Sequence, residues 1–199
     1  MNYIITGVII LIIGYAFGCF STGYFVGKKN GLDIRLTGSG NIGTTNALRS
    51  LGAKAGAITF LGDLLKAFIP TLVVKFAFCP AMGYADDITY LFTLLAGLGV
   101  VMGHNFPFYL NFKGGKGILT SLGLSFAIDW RAALITLAVS ILIIALTRYV
   151  SLGSILGCIA NVGLILLFDA DPLKIWFIAL LAVLAVIRHH ANIKRLIKG

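Results

Sequence analysis

The sequence predicts an all-α, polytopic integral membrane protein with seven transmembrane helices, one of them short or broken, the N-terminus outside and the C-terminus cytoplasmic. Three observations carry this. Of 199 residues, 59% are hydrophobic and 12% charged, with a mean hydropathy of +0.99, far from the make-up of soluble domains. The apolar residues gather into runs near the roughly 20 residues that a membrane helix needs. The charges collect between those runs and segregate by sign. A single domain over 1–199 is expected.

The first span is expected over about Tyr3 to Val26, closed by Lys28 and Lys29. No basic segment precedes it and it is too long for a cleaved signal, so it reads as a span. The second runs from about Ala55 to Phe78, interrupted by Asp63 and Lys66. The third, Ile88 to Met102, passes into His104-Asn105-Phe106-Pro107. A weak fourth segment, Ile118 to Ile128, ends at Asp129-Trp130-Arg131. Ala132 to Leu146, Leu152 to Phe168 and Leu173 to Ile187 follow, then a basic tail from Arg188 to Arg195.

The fourth segment reaches only about 17 Å of a hydrocarbon core about 30 Å thick, and charge decides that it crosses. With seven crossings one side collects Lys28, Lys29, Arg35, Arg49, Lys54, Lys113, Lys116, Arg148, Arg188, Lys194, Arg195 and Lys198. The other holds Asp86, Asp87, Asp129, Asp169 and Asp171 with Arg131 and Lys174. Without that crossing the basic tail moves outside, against the positive-inside tendency. Local bilayer thinning or a half-helix accommodates the short segment. The net charge of +9 therefore belongs to a cytoplasmic membrane face and anionic headgroups or substrates, not to nucleic acid. Cys19, Cys79 and Cys158 lie in or at the ends of apolar runs, with neither metal spacing nor a disulfide framework.

Against this background stands the polar stretch Gly38-Ser39-Gly40-Asn41-Ile42-Gly43-Thr44-Thr45-Asn46. Its glycines permit sharp turns with N–H groups presented free of Cβ obstruction, which suits an oxyanion. A helix starting near Thr44 or Thr45 would add its free N–H groups and dipole, and Arg35 and Arg49 add positive charge. An ordinary connector is the plainer reading of the loop alone. The topology gathers this loop, the 103–117 stretch and the 188–195 tail on one face. Lys116 sits among Gly114, Gly115 and Gly117 as a point charge for a ligand or a snorkelling helix end. His104 is a general base, an anion donor or a hydrogen-bonded helix end. Arg188, His189 and Asn192 share a helical face, and Ser151 and Ser154 are ligand contacts or caps. Asp63 and Lys66, one turn apart in an apolar helix, are expected to pair.

Two formal matches fail. Gly38-x-Gly40-x-x-Gly43 fits a dinucleotide fingerprint but lacks a βαβ unit, and Gly115-Lys116 lacks the remainder of a P-loop. The acidic residues are all Asp, few on the proposed site's face, which argues against metal-dependent phosphoryl transfer; no metal and no cofactor is called for. Acyl transfer to a phosphorylated alcohol fits better, because donors that bind phosphate also stabilise an oxyanion at the acyl carbon.

The 38–46 loop with Arg35 and Arg49, Gly103-His104-x-x-Pro107 running to Phe112-x-Gly114-Gly115-Lys116-Gly117, and Arg188-His189-x-x-Asn192-Ile193-x-Arg195-Leu196 resemble the three signatures of the PlsY family of bacterial glycerol-3-phosphate acyltransferases. Asp63-x-x-Lys66 and Arg148-Tyr149-Val150-Ser151 are similar too. One departure is Gly18-Cys19-Phe20-Ser21 where the family often has Gly-Ser-Ile-Pro. The resemblance implies a multi-pass enzyme of the bacterial inner membrane, active on the cytoplasmic face. It implies transfer of an acyl chain from acyl-phosphate to the 1-position of sn-glycerol 3-phosphate, releasing lysophosphatidic acid and inorganic phosphate.

On that basis Ser39, Gly38, Gly40, Asn41, Gly43, Thr44 and Asn46 are expected to hold the donor phosphate and polarise its carbonyl. Arg35, Arg49, Gly114, Gly115, Lys116, Ser154, Arg188, His189 and Asn192 complete the substrate site. His189 and His104 are the side-chain bases to weigh against a substrate phosphate. The expected partners are the two substrates and membrane lipid. The rival reading is a membrane transporter of a phosphorylated anion, which the broken fourth helix and the intramembrane Asp63 and Lys66 also suit; no inverted repeat joins the halves. A non-catalytic scaffold leaves the polar loops without a purpose.

Overall fold

The computed structural model describes residues 2–198. Met1 and Gly199, the end residues of the expected domain, lie outside them, as does the side chain of Lys198 from the charge tally. Among the described residues every regular element is helical. The chain forms two compact units, Met1–Leu124 and Ser125–Gly199.

The first unit contains α1 (Tyr3–Cys19), α2 (Thr22–Lys29), α3 (Thr44–Leu51), α4 (Ala53–Val73), a π turn (Val74–Phe78), α5 (Cys79–Ala81), α6 (Asp86–Asn105) and the start of α7 (Ile118–Ile128). Helix α1 lies along α6 through facing glycine pairs, Gly14 and Gly18 on one, Gly99 and Gly103 on the other. A Cβ at Gly18 would stand 2.8 Å from Val100 Cα, and one at Gly103 2.8 Å from Cys19 N. Lipid tails are as apolar as leucine, so such helices associate by close backbone approach, which small residues four apart allow. The opposite face of α1, with Ile5, Ile9, Ile12 and Phe17, is exposed as lipid-facing surface should be.

The first span is broken. Phe20 and Ser21 adopt extended dihedrals between α1 and α2, at the position where the sequence departs from the family's proline. The break leaves carbonyls without helical partners, and side chains take them: Tyr109 Oη donates to Cys19 O at 2.9 Å and Lys66 Nζ to Phe20 O at 2.8 Å. Helix α4 contains Pro70 and relaxes into the π turn one turn later, so the second span reaches Ala81, beyond the expected Phe78.

The second unit holds the rest of α7, then α8 (Trp130–Thr147), α9 (Val150–Phe168), α10 (Pro172–Arg188) and α11 (His190–Lys198). A buried polar chain ties three of them. Asn161 Nδ2 donates to Ser125 Oγ at 2.8 Å, and Thr136 Oγ1 donates to Asn161 Oδ1 at 3.1 Å. Asp129 caps α8 by accepting from Arg131 N at 2.9 Å and pairs with the Arg131 guanidinium, which draws its carboxyl below the ordinary range.

Among the described residues, five helical segments are long and apolar enough to cross a membrane: Tyr3–Lys29, Ala53–Ala81, Asp86–Leu110, Trp130–Thr147 and Val150–Phe168. A sixth is added if α10 and α11, bent by 59°, count as one. Helix α7 has the predicted bounds but only 11 residues.

The glycine seam makes a sharp prediction. Gly18→Val lowers the thermal midpoint of detergent-solubilised protein by an amount at or above the top of the about 1–3 kcal/mol overpacking range. Gly163→Ala, in α9 with nothing within 4 Å of its added Cβ, gains about 0.5–1 kcal/mol.

Candidate active site

The 38–46 loop is built from the inside. Asn46 is buried, and its Nδ2 donates to Ile34 O at 2.9 Å and Thr37 O at 3.0 Å, while its Oδ1 accepts from Ser39 N at 2.8 Å. Gly38 and Gly40 have φ of +57° and +71°, a region that an L side chain enters at a cost. Gly40 N donates to Thr37 O at 2.9 Å, and Gly43 N to Asn41 Oδ1 at 2.9 Å. This differs from the expectation. The N–H groups of Ser39, Gly40 and Gly43 are spent holding the loop's shape, and Asn46 is its internal brace. The outward donors are at the start of α3, where Thr44 and Thr45 hold first-turn positions without intrahelical acceptors. Ser39 is exposed, and so is Arg49. Arg35 is committed elsewhere: its guanidinium grips Asp33, with Nη2 2.6 Å from Oδ2, and lies over the Tyr24 ring at 5.1 Å. That guanidinium and the Arg35 backbone N–H hold the Asp33 carboxyl down to about 2.

Asp63 and Lys66 pair as expected, with Nζ 2.9 Å from Asp63 Oδ1, an ion contact off the hydrogen-bond direction. The ammonium also reaches His104 Nδ1 at 2.9 Å and Phe20 O at 2.8 Å. All are buried. A lysine ammonium only donates, so His104 Nδ1 accepts and the ring proton is on Nε2. Gly115 closes on the Nε2 corner of that ring, where a Cβ would stand 2.5 Å from His104 Cε1. The main chain completes the mount: Gly114 N donates to Asn105 O at 3.1 Å and Gly115 N to His104 O at 2.9 Å. Lys116 is thus carried, half-buried, on a loop clamped to the end of α6.

The loop and the Lys116 stretch lie at one end of this unit. Ile42 and Ala47 pack with Ile34 and Leu110 in one buried cluster, joined by Tyr24. Two of the three expected polar stretches are therefore brought together. In the second unit α10 ends and α11 begins at His189, so Arg188 and Asn192 lie on either side of a bend and not on one straight helix. His189 is buried and its Nδ1 lies 2.7 Å from Ala185 O. A carbonyl only accepts, so Nδ1 carries a proton, and in the neutral form of the ring the lone pair is on Nε2. The two candidate histidines therefore hold opposite tautomers. Asn192 Nδ2 donates to Ser151 Oγ, and Asn192 Oδ1 accepts from Arg195 Nη2 at 3.2 Å; Ser154 is one turn along α9.

A family model described as glycerol-3-phosphate acyltransferase matches residues 8–199. The chain belongs to that family. The glycerol-3-phosphate acyltransferase of Clostridioides difficile (strain 630) is 43% identical over 197 residues, covering 96% of this chain and 92% of that protein. Crystal structures of PlsY (YgiH), an integral membrane glycerol 3-phosphate acyltransferase, superpose with TM-score 0.87 in the glycerol 3-phosphate form and 0.85 in the lysophosphatidic acid form. Both are 34% identical and cover 97% of this chain and 92% of that one. As a member of the glycerol-3-phosphate acyltransferase family, this chain is a membrane acyltransferase.

Tyr109, Asn105 and the Phe20 carbonyl were missed as parts of the architecture. The sequence carried one signal for them: a lysine needing partners beside a span with no proline to explain a break.

Lys66→Met strands the buried Asp63 carboxylate and is expected to cost about 3–5 kcal/mol in thermal unfolding, much of it recovered by the double change Asp63→Leu/Lys66→Met. The Asp33–Arg35 pair gives a pH signature. Its folded-state carboxyl is depressed, so its stabilisation is complete above the unfolded value of about 3.9 and is lost as pH falls through about 2. The midpoint difference between wild type and Asp33→Asn should therefore be full at about pH 5 and vanish toward about pH 2.

Proposed function

We propose that this protein, as a single acyltransferase domain over residues 1–199, transfers an acyl chain from acyl-phosphate to the 1-position of sn-glycerol 3-phosphate. Lysophosphatidic acid and inorganic phosphate leave. The observation that carries the reading is the match along nearly the whole chain to proteins named for acylation of glycerol 3-phosphate. The acyl-phosphate donor is what the family resemblance implies, and the chain suits it, with N–H groups at a helix start for an anion and apolar helices for an acyl tail.

The roles are those the resemblance implies, adjusted to the hydrogen bonds found within each unit. Ser39, Asn41, Thr44 and Thr45 hold the donor phosphate and polarise the acyl carbonyl, with Gly38, Gly40, Gly43 and Asn46 acting through the shape of the loop. Arg49 and Lys116 in the first unit bind glycerol 3-phosphate; Ser154, Arg188, His189 and Asn192 in the second unit are the further substrate-binding residues that the resemblance implies. Gly114 and Gly115 set the position of Lys116. Attack of the 1-hydroxyl oxygen on the acyl carbon forms the new ester bond, the C–O bond to phosphate breaks, and the hydroxyl proton passes to a base. A phosphate of either substrate serves, or His189; His104, protonated on Nε2 and held by Lys66, is the weaker base.

The topology that accompanies this reading has seven crossings, α7 being the short one. The N-terminus is outside and the active face lies on the cytoplasmic side of a bacterial inner membrane. The segregation of charge supports it, with Lys75 in the π turn a third basic residue for the outer group. A periplasm-active reporter fused at the C-terminus should be silent and a cytoplasm-active one bright.

The test is detergent-purified protein given acyl-phosphate and glycerol 3-phosphate. Phosphate release should require both substrates. Lys116→Ala and Arg49→Ala should lower kcat/KM by about 10²–10³. His189→Ala separates the two bases: a loss of about 10² or more in kcat at unchanged KM assigns proton transfer to the imidazole, and a rise in KM alone assigns it to phosphate. Absence of release with wild-type protein overturns the reading.

A further inference from the structure

Asn105 is the last residue of α6 and is wholly buried, at 0% exposure. Neither its Nδ2 nor its Oδ1 hydrogen-bonds a protein group. A primary amide has two donor hydrogens and an acceptor with two lone pairs, and burying all of them unsatisfied opposes folding. An apolar side chain of similar size would fill the same space without that cost. The amide therefore needs an explanation outside the stability of this state.

Its position supplies one. The Asn105 main-chain carbonyl accepts from Gly114 N, while its side chain lies under Gly117, where an added Cβ would stand 2.9 Å from Oδ1 and 3.0 Å from Nδ2. Gly117 has φ +80°, and its carbonyl accepts from Ser121 N at 2.8 Å at the start of α7. One residue thus supports both ends of the loop that carries Lys116, one end by main chain and the other by a side chain whose hydrogen-bonding capacity is unspent. Three glycines around Lys116 give the loop backbone freedom to turn its own N–H and C=O groups.

We propose that Asn105 is a positioning residue for the Lys116 loop. When glycerol 3-phosphate draws Lys116 to its phosphate, the backbone of the loop turns onto the Asn105 amide and is held there. The amide acts through the loop and not on the reacting atoms. This rests on the proposed function, since it takes a phosphate monoester as the ligand that sets the loop.

Asn105→Leu tests it, because the structure predicts opposite effects on fold and on substrate. The melting midpoint without substrate should stay level or rise, since two orphaned polar atoms are removed. KM for glycerol 3-phosphate should rise about tenfold or more while kcat stays within about threefold, and the midpoint shift produced by glycerol 3-phosphate should shrink in step. A fall in the substrate-free midpoint with KM unchanged would make the amide structural and overturn the inference. So would a variant with wild-type KM at any midpoint. Should the leucine variant not fold, Asn105→Ser is judged by the same KM and substrate-induced shift. Wild-type protein run beside them separates the two ideas: failure of wild type to turn over or to be stabilised by glycerol 3-phosphate sinks the functional reading, whereas a normal wild type beside an unaltered variant sinks this inference alone.

Discussion

A lysine ammonium inside an apolar helix has to be surrounded by acceptors, and the first unit is arranged around meeting that demand at Lys66. Asp63 on its own helix balances the charge, His104 on α6 accepts through Nδ1, and Phe20 O accepts from the break between α1 and α2. Each partner has its own deficit that the lysine relieves. An aspartate buried alone would be strongly disfavoured, and a carbonyl at a broken membrane helix has no water to turn to. One side chain therefore joins three helices at the level where the polar loops begin. The same contact selects the His104 tautomer and presents the ring on which Gly115 rests.

The glycines act in two separate ways. Along α1 and α6 they remove side chains so that two backbones touch, which fixes where the end of α6 lies relative to the α1–α2 break. In the 38–46 loop and around Lys116 they admit conformations that an L side chain resists, and Gly38, Gly40 and Gly117 all have positive φ. The first use makes the scaffold stiff and the second fixes the shapes of the loops. A stiff scaffold under shaped loops suits an acyltransferase, because orientation must be set before bond making begins.

Much of this was legible in the residues. Helix positions followed from apolar runs, and α7 has the bounds its sequence suggested, since helix length in lipid is a matter of local hydropathy. The Asp63–Lys66 pair followed from the cost of isolated intramembrane charge. The glycine seam was written in the sequence as Gly14-x-x-x-Gly18 and Gly99-x-x-x-Gly103, yet a four-residue spacing does not name its partner. The loop was identifiable as a polar glycine-rich turn, but the inward direction of its N–H groups was not, because that depends on where Asn46 lies in three dimensions.

By itself the sequence determined the class of molecule, the order of its spans, the residue types available for binding anions and the resemblance that proved to be family membership. These depend on composition and on groups close in the chain. Tertiary structure alone decided which groups are already spent: Arg35 on Asp33, Asn46 on its own loop, Lys66 on a helix break, and opposite tautomers at His104 and His189. Hydrogen bonds have direction and a limited number of partners, so the availability of a polar side chain is settled by the groups the fold places around it, close in sequence for Arg35 and distant for Lys66.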